Sequence, residues 1–375
     1  MKILQVCGGY SMGGLEQQTI KIAKGLINKG HELMIYCSKD SLISSKCKTE
    51  NINYSEGLFD IGNNVFKNFK NTYKILKKFK PDIIHVQRSH DLFPIVLVLY
   101  IYKINTPLVF TRRMESSINK KTFFHKLIYK RINKAYAISS FIKDNLIATT
   151  PIKPDKVEVL NNGVDLKIFN PLNYDKKTCR KKYDMPLDAT IIGMVGRISP
   201  MKGHKEFVRA ASELFNNRND KLFFAIIGGA SVGEESFAQE IYQLAKTLLP
   251  SSNFRFYEFT DSVAEALATM DIFIFPSYRE SFGNALLEAM AMQLPIVTTY
   301  AGGVKDIIIC GENALCIEPK NHLQLVNAVN QLLNNEELKI KISIKARKTA
   351  EKHNFENYIN KLENDYLDLI KKLNF

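Results

Sequence analysis

Residues 276–290 read PSYRESFGNALLEAM, and the five residues before them, Asp271 to Phe275, form the apolar run DIFIF. A short apolar run closed by a turn is the pattern of a strand buried in a parallel sheet. Pro276 and Gly283 punctuate the turn, and Leu286, Leu287 and Met290 then recur at helical spacing. The stretch is therefore strand, loop and helix. Glu280, Ser281 and Phe282 lie in the loop. Gly283, Asn284, Ala285 and Leu286 supply the N–H groups that a helix start leaves without an intrahelical acceptor. Glu288 falls near the second turn of the same helix. An anion fits between the two carboxylates, at the helix end. Glu280 can accept bonds from hydroxyl groups, and Glu288 can grip a vicinal diol.

A second element of this kind lies upstream. The strand pattern 190–195 (TIIGMV) runs into Gly196-Arg197-Ile198-Ser199-Pro200-Met201-Lys202-Gly203. Arg197 and Lys202, five residues apart on a strand-to-helix turn, can reach one diphosphate, the guanidinium through paired bonds and the ammonium as a compact charge. At the N-terminus the strand pattern 2–7 (KILQVC) leads into CGGYSMGGLEQQT, where Gly8, Gly9, Gly13 and Gly14 let backbone approach a phosphate. The spacing is not the GxGxxG of a dinucleotide site.

Strand patterns at 32–37, 82–86, 107–111, 135–138 and 157–160, and again at 222–227, 253–258, 271–275 and 295–299, alternate with helical ones. This alternation predicts two consecutive α/β sandwiches with parallel sheets. The boundaries expected are a first domain over 1–165, a polar linker over 166–189 and a second domain over 190–352. The tail 355–373, with Tyr358, Leu362, Tyr366 and Ile370 four apart, reads as one amphipathic helix. At 375 residues, with 45% hydrophobic and 24% charged residues, the chain has the composition of two globular domains. Its longest apolar run, Leu92 to Ile101, is too short to span a bilayer and contains Pro94, so a buried helix is expected. Cysteines 7, 37, 47, 179, 310 and 316 show no zinc spacing and are expected to be reduced thiols in a cytoplasmic protein.

The net charge of +14 is carried entirely by residues 1–170, where 27 Lys and Arg face 13 Asp and Glu; the remainder holds 25 of each. Lysines at 67, 70, 74 and 77 line a helical pattern beside Phe66, Phe69, Tyr73 and Leu76. Lys126, Lys130 and Lys134 follow at i, i+4. Such an asymmetry points to an anionic partner of the first half, a membrane surface, a phosphorylated glycan or a nucleic acid, or else to a merely solvated face.

In GGLEQQT, AISSFIKDNL, NNGVDLKIF, GRISPMKG, the Glu280…Glu288 pair and AGGVKDII, the chain resembles the retaining glycosyltransferases of family 4 over nearly its whole length. The short TRRM segment also resembles bacterial transferases of lipopolysaccharide core assembly. The resemblance implies the GT-B fold: two Rossmann-like α/β/α domains facing across a cleft, with the last helix packing back on the first. It implies that Arg197 and Lys202 hold the donor diphosphate, Glu280 the donor sugar and Glu288 the ribose. The residues from Ser281 to Leu286 and the Gly13-Gly14 backbone would complete the donor site. On the acceptor side, Arg112 and Arg113 stand where many relatives carry a histidine, while His85 and His90 follow an earlier strand. Gln293 replaces a usual glycine and Asp306 a usual glutamate.

The expected activity is transfer, with retention, from a nucleotide-diphosphate sugar, taken as a UDP-sugar, to a glycan or lipid-linked acceptor in bacterial surface-polysaccharide or lipopolysaccharide synthesis. The protein would be peripheral on the inner face of the membrane. No Asp-x-Asp occurs, so neither a metal nor a cofactor is expected, and nucleic acid is not an expected partner. An epimerase or phosphorylase of the same fold, or a non-catalytic basic binding protein, remain the alternatives.

Overall fold

A computed structural model describes residues 1–10, 13–57, 59, 65–230 and 233–374, the side chains of 65–67, 373 and 374 excepted. Phe66 and Lys67 of the first lysine stripe and Ser11-Met12 of the glycine-rich loop therefore lie outside the description. The chain divides into two units, Met1–Asn162 with Glu356–Phe375, and Gly163–Phe355.

The first unit holds seven strands: β1 (Lys2–Cys7), β2 (Glu32–Ser38), β3 (Tyr54–Gly57), β4 (Ile83–Val86), β5 (Leu108–Arg112), β6 (Lys134–Ala137) and β7 (Val157–Val159). They form one parallel sheet in the order β3-β2-β1-β4-β5-β6-β7. The order reverses between β1 and β4, so the connections diverge there and leave a crevice at the carboxyl ends, where α/β proteins bind ligands. Helix Leu92–Ile101 buries Leu92, Ile95, Val96, Val98 and Leu99. Pro94 is tolerated because the first turn needs no N–H from it.

Helix Phe355–Asn374 belongs largely to this unit and buries Tyr358, Ile359, Leu362 and Tyr366. Its Asp365 accepts a hydrogen bond from Tyr136 Oη at 2.6 Å and an ion pair from Lys134 at 2.9 Å. Lys134 also pairs with Glu158 at 2.6 Å. Lys134 thus lies on β6 and is neutralised inside the unit, so the expected 126–134 stripe is corrected to Lys126 and Lys130, both exposed on helix Phe123–Lys130. Lys70, Lys74 and Lys77 are exposed on helix Val65–Phe79.

The second unit holds β8 (Thr190–Val195), β9 (Leu222–Ile227), β10 (Phe254–Tyr257), β11 (Ile272–Phe275), β12 (Ile296–Thr299) and β13 (Leu315–Ile317). These are parallel in the order β10-β9-β8-β11-β12-β13, reversing between β8 and β11. Ile192, Phe207, Phe224, Ile241, Ile274 and Leu332 share its core. Residues 166–189, expected as a linker, are instead part of this unit. Arg180 of helix Lys176–Lys182 is buried and donates to the Thr269 carbonyl at 3.0 Å and to Asp271 at 2.5 Å. A second correction concerns the thiols. Cys310 and Cys316 form a disulfide across a tight turn, with Cα atoms 5.4 Å apart. Cys7, Cys37, Cys47 and Cys179 are buried and free, and burial pushes the first three up to about 12, so they pack rather than react.

His85, in the middle of the first sheet, bears on stability. Its ring is fully buried, with Nδ1 bonded to Tyr366 Oη at 2.5 Å and Nε2 to Thr111 Oγ1 at 2.6 Å. Burial first, and the Arg113 charge second, push its pKa down to about 3. The folded state thus keeps the ring neutral while the unfolded chain protonates it near pH 6.5. The resulting stability is full above that pH and is lost as pH falls from about 6.5 toward 3, at up to about 1.4 kcal/mol per pH unit. Urea unfolding at pH 7.5 and 5.5 should show this loss, and His85→Gln should remove one proton's worth of the slope. An identical slope in the two proteins would assign the pH dependence elsewhere.

Candidate functional site

At the reversal point of the second sheet, the two sequence elements singled out above come together. β8 ends at Val195, and Gly196 and the exposed Arg197 follow. Ile198 donates its N–H to the Gly229 carbonyl at 2.9 Å, which ties this loop to the end of β9. The turn Pro200–Lys202 then closes at Gly203, the N-cap of helix His204–Asn217, with φ +73°. Only glycine adopts that conformation without strain, and here space demands it as well: a Cβ would lie 2.1 Å from the carbonyl oxygen of Pro276 at the end of β11. Tyr278 N–H donates to the Met201 carbonyl at 2.9 Å, so the β8 and β11 loops are stitched to each other.

The stitching sets Lys202 against Glu280. Their Nζ and Oε1 are 2.5 Å apart, with both side chains largely shielded from solvent, and the ammonium stands 5.9 Å from the centre of the Phe275 ring. Glu280 is fixed from its other side by the β12 loop. Gly303 donates its N–H to the Glu280 carbonyl at 2.7 Å, and Gly302, with φ +70°, comes so near that a Cβ would lie 2.3 Å from that oxygen. Tyr278 Oη donates to Glu206 Oε2 at 2.7 Å; burial, then this carboxylate, raise the phenol's pKa.

Gly283 caps helix Asn284–Ala291 in a left-handed conformation and offers no side chain to its first N–H groups. Ser281, Asn284, Ala285 and Glu288 are half-buried around this end. Phe282 and Leu286 point elsewhere: both are buried, Phe282 against His353 with ring centroids 6.4 Å apart. They contribute backbone to the site and side chains to the core.

The glycine-rich loop of the first unit is arranged differently from the reading of its sequence. Gly13 gives its N–H to Glu16 Oε2 at 2.9 Å, as the cap of helix Gly14–Asn28. The close approach belongs to Gly8 and Gly9: Gly8 donates to the buried Asp91 carboxylate at 2.7 Å, and a Cβ on Gly9 would meet Glu16 at 2.4 Å. Burial raises Asp91 to about 6, against the Gly8 N–H and Arg88, which lower it. Asp91, Arg88 and Glu16 were not singled out from sequence, although the charged run RSHD directly after a strand end was a signal.

Of the acceptor-side candidates, His85 lies inside the core with both nitrogens bonded. Arg113 is buried and saturated by neutral amides, with Nε and Nη2 on Gln87 Oε1 at 3.1 and 3.0 Å and Nη1 on Asn162 Oδ1 at 3.0 Å. Arg112 is buried too, and Nη1 donates to Ser89 Oγ, but its Nε has no partner. Among the described residues no three His, Cys, Asp or Glu side chains converge as a metal site, and no helix is long and apolar enough to cross a membrane.

Comparison with known proteins places this geometry. Residues 12–168 match the family described as Glycosyltransferase Family 4, and residues 175–349 match Glycosyl transferases group 1. A D-inositol 3-phosphate glycosyltransferase of Catenulispora acidiphila is 33% identical over 48% of this chain and 43% of its own. The chain spans about half the length of the curated relatives it matches. A solved glycosyltransferase from Rickettsia africae is 25% identical with a TM-score of 0.86, covering 99% of this chain and 98% of that one. Anabaena HepE, solved with UDP and glucose, shares the fold at 20% identity and TM-score 0.83, over 98% and 99% of the two chains.

The loop stitching has a measurable consequence. Gly203→Ala should cost about 1–3 kcal/mol, because the left-handed backbone and the Pro276 carbonyl both oppose a Cβ. Thermal unfolding reads this as a drop of about 2–4 °C per kcal/mol. An unchanged midpoint would mean that the turn relaxes freely.

Proposed function

Because the chain belongs to the family 4 glycosyltransferases, with a family 4 domain followed by a group 1 domain, we propose that it moves a sugar from a UDP-sugar to a glycan or glycolipid acceptor with retention of configuration. The observation that carries this reading is the shielded Lys202–Glu280 pair beside the capless start of helix Asn284–Ala291, at the reversal point of the second sheet. The ammonium, the exposed Arg197 and the helix end supply positive potential for a departing diphosphate without a metal. Glu280 serves twice. It holds Lys202 in place before the donor arrives, and it accepts bonds from donor-sugar hydroxyls. Glu288, one turn into the helix, takes the ribose diol. The departing phosphate oxygen removes the acceptor's proton on the face it leaves, which is the route to retention.

Lipopolysaccharide or other surface-polysaccharide synthesis at the inner face of the membrane belongs to the same proposal. Its support is the basic first half together with helix Phe123–Lys130, which exposes Phe123, Phe124 and Leu127 beside Lys126 and Lys130. Apolar side chains next to lysines favour an anionic leaflet through both burial and charge, at about 1 kcal/mol per basic residue.

Two measurements test the proposal. With EDTA present throughout, Glu288→Ala and Lys202→Ala should each lose about ten- to a hundred-fold in transfer, the effect of a lost charge-assisted bond of about 1.5–3 kcal/mol. Circular dichroism should stay unchanged. Near-wild-type turnover in both variants would sink the donor site. The protein should also co-sediment with anionic vesicles and release as salt rises; indifference to such vesicles at low salt would assign the charge to solubility.

A further inference from the structure

Four of the six cysteines are buried and free, while the other two, Cys310 and Cys316, are joined to each other near the surface of the second unit. Cys310 is exposed in the turn that follows the short helix Gly303–Asp306, and Cys316 is half-buried in the middle of the edge strand β13. The ring that the bond closes spans a sequence separation of only 6.

The turn inside that ring has a noncovalent frame of its own. Gly311 donates its N–H to the Ala314 carbonyl at 2.8 Å. The buried Asn313 side chain accepts the Ile309 N–H at 2.8 Å, and donates to the Ile307 carbonyl at 2.9 Å and to Thr349 Oγ1 at 3.0 Å. Opening the disulfide therefore leaves a folded turn with more freedom, not an unfolded domain.

That freedom reaches the clasp on Glu280. Upstream of Cys310, Val304, Ile307 and Ile308 are buried, and Val304 lies so close to Gly283 that a Cβ there would stand 3.3 Å from Val304 Cγ1. Gly303 donates the N–H that fixes the Glu280 carbonyl, and Glu280 in turn holds Lys202. Downstream, Cys316 pairs with Thr298 of β12, whose hydroxyl donates to the Phe275 carbonyl at 3.1 Å. The disulfide thus staples the loop that grips Glu280 to the strand beyond it. A disulfide open to solvent is also the kind that exchanges readily.

We propose that the Cys310–Cys316 pair is a thiol–disulfide exchange site, through which low-molecular-weight thiols and disulfides of the glutathione class set the hold of this loop on Glu280. A small thiolate attacks Cys310 Sγ, the exposed sulfur. A mixed S–S bond forms there, the protein S–S bond breaks, and Cys316 Sγ leaves with the electron pair and takes up a proton. A second small thiolate attacks the outer sulfur of the mixed disulfide, releasing the Cys310 thiolate, which is protonated, and forming the small-molecule disulfide. Two small thiols are oxidised as one protein disulfide is reduced, and the reverse sequence restores it. The inference rests on the donor reading for the consequence of loosening Glu280; the exchange chemistry stands apart from it.

The full chain is equilibrated in buffers of graded reduced-to-oxidised glutathione ratio, quenched by alkylation and mapped by mass spectrometry. Cys310 and Cys316 should pass together and reversibly between disulfide and alkylated thiols across the series. In the same buffers, hydrogen–deuterium exchange of the peptide holding Gly303 should quicken about tenfold on reduction. Affinity for UDP, which reads the placement of Lys202, should fall roughly fivefold. Cys310→Ser should match the reduced wild type in both readings and ignore the buffer. The reduced wild type itself keeps the test decisive if that variant fails to fold. A pair that stays in one state throughout the series, Gly303 exchange that its state does not alter, or UDP bound equally well in both states would overturn the proposal. No UDP binding in either state would instead overturn the donor reading and leave the exchange result standing.

Discussion

Three backbone carbonyls at the carboxyl edge of the second sheet, those of Gly196, Pro276 and Glu280, each lie against a glycine that could not carry a side chain. Gly228 would place a Cβ 2.1 Å from the first, Gly203 2.1 Å from the second and Gly302 2.3 Å from the third. These close approaches draw the loops after β8, β9, β11 and β12 into one layer. Lys202 and Glu280 are 78 residues apart in the chain and meet at bonding distance only because their loops are locked in this way. The reversal of strand order between β8 and β11 supplies the space, and the glycines allow backbone to fill it.

The first unit follows the same topological logic with a different economy of charge. Its sheet reverses between β1 and β4, and polar groups collect at those strand ends, but most are answered from within. Asp91 receives the Gly8 N–H, Arg113 is held by two amide oxygens, and His85 is closed by a tyrosine of the last helix and a threonine of β5. Paired polar groups of this kind hold structure rather than ligand. Arg112 differs from its neighbour Arg113 by one position along a strand end, and that step changes its partners from two amides to the Ser89 hydroxyl, with Nε left unpaired.

Much of this was legible in the residues. Buried strands announce themselves as apolar runs, and 2–7, 190–195 and 222–227 were read with the bounds the structure gives. The two strands that were missed, β3 and β13, are edge strands. They are short and half-exposed, so YSEG and LCI carry no sustained apolar signal. Gln293, in a turn where the resembled family has glycine, sits at φ +57°, which gives the usual preference its physical reason. Residues 166–189 look like a linker because their polar side chains hide one buried arginine that binds a strand end far along the chain.

By itself the sequence determined the two α/β sheets and the strand-to-helix turns on which Arg197, Lys202, Glu280 and Glu288 stand, because periodicity and turn chemistry are local properties. Only the tertiary structure decided which side chains of those motifs face outward and which fill the core. Phe282 and Leu286 went inward, Lys134 became a half-buried counter-ion, and His85 became a core residue. Burial and pairing depend on what packs opposite, and that partner lies 24 to 281 residues away for Lys134 with Glu158, for Phe282 with His353 and for His85 with Thr111 and Tyr366. A local pattern carries no information on it.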